Sequence, residues 1–184
     1  MKWVKAGATV GAALAVGVGG LTPAGTWSAQ ASTADAAVEL VAPQADEETR
    51  RIAAEDPQAV QTMATRCGDG YNVIGAEQLP YDGYRLGTLF RYSKKTSGGN
   101  WRYCMIFDNN TGSTKYMRLR TCEYTLENPE CRTDQGDFSQ YAGPVYTGLH
   151  WKYPQCSKVV AIMKNSKDSD KALIDAVRTA NTCN

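Results

Sequence analysis

Six cysteines set the strongest limit on how this chain can fold. Cys67, Cys104, Cys122, Cys131, Cys156 and Cys183 all fall after residue 66, and no two are spaced as the close CxxC pairs that zinc sites use. An even set without metal spacing reads as three disulfides, which persist in an oxidising compartment. The N-terminus supplies the route there. Met1-Lys2-Trp3-Val4-Lys5 is a short cationic stretch, and Ala6 to Leu21 carries no charge. That run is rich in glycine, meets Pro23 and Gly25 almost at once, and falls short of the roughly 20 apolar residues a membrane anchor needs. It fits the core of a Sec-type signal peptide. Ala29-Gln30-Ala31 puts small residues at the cleavage site, so residues 1–31 are expected to be removed, leaving Ser32 as the N-terminus.

The remaining chain divides unevenly. Residues 32–66 are Ala-rich, with seven acidic residues against three basic ones and no aromatic residue. They read as an acidic linker or propeptide, partly helical around Glu47 to Glu55 and stopped by Pro57. Residues 67–184 hold every cysteine and every tyrosine and read as a disulfide-rich β domain. Its 15 Lys/Arg against 12 Asp/Glu make a weak positive balance that does not demand a nucleic-acid partner. Cys122 and Cys131 enclose a short loop containing Pro129 and are expected to pair, contributing on the order of 2–3 kcal/mol. The other four allow three arrangements. The preferred one joins the domain ends through Cys67–Cys183 and ties two strands through Cys104–Cys156.

Short segments rich in β-branched and aromatic residues follow Cys67, each bounded by Gly, Asn, Asp or Pro. Tyr71–Gly75 is the first. In Arg85–Tyr92 the residues Leu86, Thr88, Phe90 and Tyr92 alternate with Arg85, Gly87, Leu89 and Arg91, a period of two that a helix does not produce. Ser93 to Asn100 reads as an exposed hairpin tip, after which Trp101, Tyr103, Met105 and Phe107 line one face of the return strand. Asn and Gly accept positive φ cheaply, so Asp108-Asn109-Asn110-Thr111-Gly112 is a turn rather than a calcium loop. Lys115 to Cys122, Gln140–Thr147 and Cys156–Lys164 supply further strands. Ser169 to Val177, with apolar residues at 172, 173, 176 and 177, suits a short amphipathic helix. The expected fold is a small antiparallel β-sandwich or barrel of about six strands with one C-terminal helix.

Catalytic chemistry has little to work with in this sequence. His150 is the only histidine, no GxSxG surrounds any serine, and the cysteines are spoken for. Hence no catalytic residue, metal site or cofactor is assigned. The one cluster with a binding character is the hairpin carrying Arg91, Tyr92, Lys94, Lys95, Trp101 and Arg102, together with Tyr103, and with Arg118 and Arg120 on the next strand. Cations beside aromatic rings hold anionic polymers or sugar rings by Coulomb attraction and stacking. The competing reading is a solvated sheet face whose long side chains cover apolar surface.

Cys67-Gly68-Asp69-Gly70-Tyr71-Asn72-Val73-Ile74, the later Asn100…Cys104 strand, and Tyr141-Ala142-Gly143-Pro144-Val145-Tyr146 followed by Cys156 resemble the small secreted proteins of actinomycetes known as spore-associated protein A. The likeness spans roughly residues 67–160. It implies an association with spore or aerial-hypha surfaces and carries over no active-site residues. The expectation is therefore a secreted, non-enzymatic protein whose partner is a cell-wall or spore-surface polymer, with no specific nucleic acid and no membrane contact after signal cleavage. Two alternatives stay open: a secreted protease inhibitor presenting the 123–130 loop, and a carboxylate-dependent hydrolase of cell-wall glycans.

Overall fold

The computed structural model describes residues 33–125 and 127–183, so the expected signal peptide lies outside the described residues. Three helices come first: α1 (Thr33–Glu39), α2 (Glu47–Glu55) and α3 (Pro57–Cys67). Asp46 caps α2 by accepting from the Thr49 N–H at 2.8 Å, and Asp56 caps α3 by accepting from the Ala59 N–H at 3.2 Å. Pro57 sits in the first turn of α3, where its missing N–H costs nothing, and Gly68 ends the helix at φ 95°. The linker reading of residues 32–66 does not hold for these helices. Ile52 and Ala53 of α2 and Val60, Met63, Ala64 and Cys67 of α3 are buried. In α3 these positions recur at i, i+3, i+4 and i+7, which makes one apolar stripe.

Eight strands follow: β1 (Asn72–Leu79), β2 (Gly87–Lys95), β3 (Trp101–Asn109), β4 (Lys115–Cys122), β5 (Cys131–Phe138), β6 (Tyr141–Tyr146), β7 (Lys158–Lys164) and β8 (Ala172–Thr179). They form two antiparallel four-stranded sheets, ordered β1-β2-β3-β6 and β5-β4-β7-β8, and no closed barrel. Alternation along β2 and β3 sends Leu89, Met105 and Phe107 into a core shared with Met117, Leu119, Val159, Ala161 and Met163 of the second sheet. Phe90, Tyr92, Cys104 and Ile106 point the other way and meet the helices. The first sheet is thus covered on both faces. The second presents Arg120, Lys158, Asp175 and Val177 outward.

Two further expectations need correction. The segment read as a C-terminal helix is β8, pairing with β7 at Ala161↔Ala176 and Met163↔Ile174. Ile174 and Ala176 enter the core while Asp175 and Val177 face out, so a two-residue period prevails over helix propensity. The Cys67–Cys183 and Cys104–Cys156 pairs are not formed either. The bonds are Cys67–Cys104, Cys122–Cys131 and Cys156–Cys183. Cys104 faces the helical layer, which brings it to the end of α3. The chain beyond β8 runs beside the turn Pro154–Cys156, with the Ala180 N–H donating to the Ser157 carbonyl and Asn181 to Gln155, and this delivers Cys183 to Cys156.

Strand β1 would be a bare edge without the N-terminal segment. Val41 bridges Val73 in parallel, with the Val73 N–H donating to the Leu40 carbonyl at 2.8 Å and the Ala42 N–H to the Val73 carbonyl at 2.9 Å. Further along, the buried Thr49 hydroxyl accepts from the Ala76 N–H at 2.9 Å. The seams between the sheets are closed by side chains. Arg178 of β8 grips Glu77 of β1 through both carboxylate oxygens, and Asp134 of β5 accepts from the Gly143 N–H of β6 at 2.7 Å.

Candidate functional site

The β2–β3 hairpin carries most of the residues singled out above, and strand alternation sorts them onto different faces. Tyr92 belongs to the core. It is fully buried, its hydroxyl donates to the Val60 carbonyl at 2.9 Å, and burial holds its pKa well above the ordinary phenol range. Arg91 points between the sheets, where its guanidinium lies against Gly75 and donates to the Thr179 carbonyl at 3.3 Å. Burial pulls its pKa below the ordinary arginine value, opposed chiefly by Glu77 and Asp46. A Cβ at Gly75 would displace the guanidinium from this position. Tyr92 is therefore closed to a ligand, while Arg91 is engaged in the seam between the sheets.

Lys94 and Arg102 sit directly opposite one another across the strand pair, on the face that further down the sheet meets the helices. The Lys94 ammonium lies 4.6 Å from the Tyr71 ring centre, and the Arg102 guanidinium lies 4.6 Å from that of Tyr146. The two rings touch at 6.1 Å, and Arg66 stands over Tyr141 at 5.7 Å. The tyrosines are themselves anchored. Tyr146 donates to the Cys67 carbonyl at 3.2 Å, while the buried Tyr71 hydroxyl has no hydrogen-bond partner among the described residues. Burial pushes the Tyr71 phenol up to about 12, outweighing the opposing field of Arg102, so the ring under Lys94 stays neutral.

Lys95 and Trp101 form the next cross-strand pair, facing the other way beside the turn closed by Gly99 at φ 82°. Trp101 is 47% exposed and Leu149 56%. They flank an open groove of ≈ 430 Å³ that is also lined by Asn100, His150 and Lys152. His150 hydrogen-bonds Glu130 at 2.8 Å, and no hydroxyl or thiol pairs with it among the described residues. Glu130 also accepts from the buried Trp151 indole at 3.3 Å and from Arg132 at 3.1 Å. Those donors, Trp151 foremost, hold its carboxyl below the ordinary range. The histidine is thereby part of a clamp that fixes the 147–153 loop against the disulfide-bracketed loop 123–130.

The chain matches no family model, no curated protein and no solved structure. Its residues alone therefore carry the reading.

Arg118 and Arg120 do not join the hairpin. They lie on the outward face of the second sheet, where Arg120 donates to the Cys131 sulfur at 3.0 Å and lines a shallow groove of ≈ 730 Å³ with Tyr124, Lys158, Val160 and Val177. Tyr71, Tyr146 and Arg66 join the cation–ring contacts on this face and were missed by sequence reasoning. The signal for Tyr146 was present in Tyr-Ala-Gly-Pro-Val-Tyr, where Tyr146 alternates with the buried Val145, as a strand edge requires. Arg66 was hidden by the linker reading, and nothing local marks Tyr71. Among the described residues, no cluster of three or more His, Cys, Asp or Glu could hold a metal ion, and no helix is long and apolar enough to cross a membrane. Cations fixed over aromatic rings on one face, with an exposed indole and lysines on the other, make a surface suited to holding charged or sugar-containing chains.

Proposed function

We propose that this is a secreted, non-enzymatic protein of the spore or cell surface, its two sheets packed as a β-sandwich, and that it holds a surface polymer at the β2–β3 hairpin end. The observation that carries this reading is the pairing, within two successive cross-strand rungs, of Lys94 with Arg102 and of Lys95 with the exposed Trp101. Stacking on the Trp101 indole suits a sugar ring with Lys95 beside it, and the cations on the opposite face suit an acidic chain. Three disulfides fit an oxidising exterior. The likeness of residues 67–74 and 141–146 to spore-associated protein A supports the surface location. The test is retention on insoluble cell-wall and spore-coat material, comparing the parent with Lys95→Gln/Trp101→Ala. Loss of retention in the variant is expected, and equal retention refutes the reading.

A second reading rests on the 123–130 loop. Cys122–Cys131 and a hydrogen bond from the Glu123 N–H to the Glu130 carbonyl at 2.8 Å close its base, while Tyr124 stands 61% exposed on it. A rigid loop presenting an aromatic side chain is what a protease inhibitor offers to a substrate cleft. Inhibition of chymotrypsin-like and subtilisin-like proteases, abolished by Tyr124→Gly, would establish it.

A further inference from the structure

Lys94 and Arg102 are cations placed directly opposite each other in an antiparallel pair. Like charges at such a position repel and destabilise the sheet. Arg66, at the end of α3, stands over Tyr141 further along β6, four rungs from Tyr146. Among the described residues no carboxylate stands within ion-pairing distance of Arg66, Lys94 or Arg102, whereas Arg51, Arg85, Arg132 and Arg178 each have one. The available compensation is the C-terminal end of α3, worth about half a negative charge, and the Asp69 carbonyl, which accepts a hydrogen bond from the Lys94 ammonium at 3.3 Å. Two positive charges against roughly half a negative one leave an excess of about one and a half.

We propose that Lys94 and Arg102 form a binding site for a doubly charged tetrahedral oxyanion, a phosphate or sulfate group. The rings of Tyr71 and Tyr146 hold the Lys94 and Arg102 heads from below, so little side-chain freedom remains to be lost on binding. A guanidinium presents a planar fork and an ammonium three donors, which together match the several oxygens and double charge of a phosphate. A carboxylate, with two oxygens and one charge, leaves one cation of the opposed pair uncompensated. This inference rests on the polymer-binding reading and adds that the polymer's recognised group is a phosphate or sulfate ester rather than an acidic sugar.

Inorganic phosphate, sulfate and acetate at matched ionic strength serve as probes, with backbone amide shifts of residues 66–71, 94–102 and 146 and the thermal midpoint as readouts. Phosphate and sulfate are expected to shift these amides and raise the midpoint, and acetate is not. Lys94→Gln/Arg102→Gln is expected to weaken phosphate binding at least about tenfold. Lys94→Gln alone, which keeps Arg102 on its ring, is expected to raise the midpoint of the anion-free protein by removing the repulsion, and Lys94→Arg to keep phosphate binding. Equal responses to phosphate and acetate, or an unchanged phosphate response in the double variant, overturn the proposal. Retention on cell-wall material without phosphate competition also overturns it while leaving polymer binding in place. Phosphate binding without retention on the polymer does the reverse.

Discussion

Replacing Ile52 with Ala tests whether the helical segment is part of the folded domain. Ile52 is 2% exposed and lies in the cluster formed by α2, α3 and the outer face of the first sheet. Ile→Ala at a closed site costs about 2–5 kcal/mol, combining lost transfer energy with the cavity left behind. The neighbours are fixed by the Cys67–Cys104 bond and by the Tyr92–Val60 hydrogen bond, so the site has little freedom to collapse and a cost of about 3 kcal/mol is expected. For a chain of this size each kcal/mol moves the thermal midpoint by about 2–4 °C, giving a drop of about 6–12 °C. Val38→Ala on α1 is the control, because Val38 is 62% exposed and its loss should stay within about 0.5 kcal/mol. The assay is urea unfolding of the oxidised protein followed by near-ultraviolet circular dichroism, with the midpoint compared at constant slope. An Ile52→Ala cost within about 0.5 kcal/mol, equal to the Val38→Ala control, would refute the packing argument.

Removing Cys67 and Cys104 together opens a loop of separation 37 and is expected to cost about 4 kcal/mol, against about 2.5 kcal/mol for Cys122 and Cys131 at separation 9; urea titrations of the two double-Ala variants give the ranking. Gly148→Ala drives a Cβ into the Trp151 indole, 2.8 Å from its Cε2, so a loss of about 1–3 kcal/mol and a red-shifted tryptophan emission are expected. Glu130 has a folded pKa depressed below the ordinary 4.5, so its contribution is present above that value and is lost as pH falls through the depressed one. The Trp151 indole N–H resonance should therefore move only on the acid side of 4.5, and Glu130→Gln should abolish that step.

The parts of the fold that could be read from residues are those where one face is buried or a local spacing decides. Phe90, Tyr92, Met105 and Phe107 announce β2 and β3 by their period of two, and only eight residues lie between Cys122 and its partner. β5 was illegible for the opposite reason. Its Arg132, Thr133, Asp134, Gln135 and Asp137 are the polar residues that guard an edge strand, so no apolar alternation appears. β8 carried two periods at once, since Ala172, Leu173, Ala176 and Val177 fit a helix while Ile174 and Ala176 fit a strand, and only the free edge of β7 decides between them. Helix α2 was legible at Glu47 to Glu55, but the packing of the segment was not, because it lacks aromatic residues, although Val60, Met63, Ala64 and Cys67 already spell a helical stripe. At the site, the sequence gathers Lys94 and Arg102 on one hairpin, but the rings beneath them come from elsewhere in the chain: Tyr71 follows α3, 23 positions before Lys94, and Tyr146 lies on β6, 44 positions after Arg102.

The strip of chain at residues 40–49 occupies the donors and acceptors of β1 that would otherwise face outward. A fragment begun at Cys67, the boundary that composition alone recommends, would uncover that row and offer it to the next molecule as a template for strand addition. A proteolytic nick in the turn near Pro43 followed by loss of α1 would have the same effect. Well-behaved recombinant protein therefore has to start upstream of Leu40, and any natural trimming beyond that point would convert a self-contained molecule into an adhesive one.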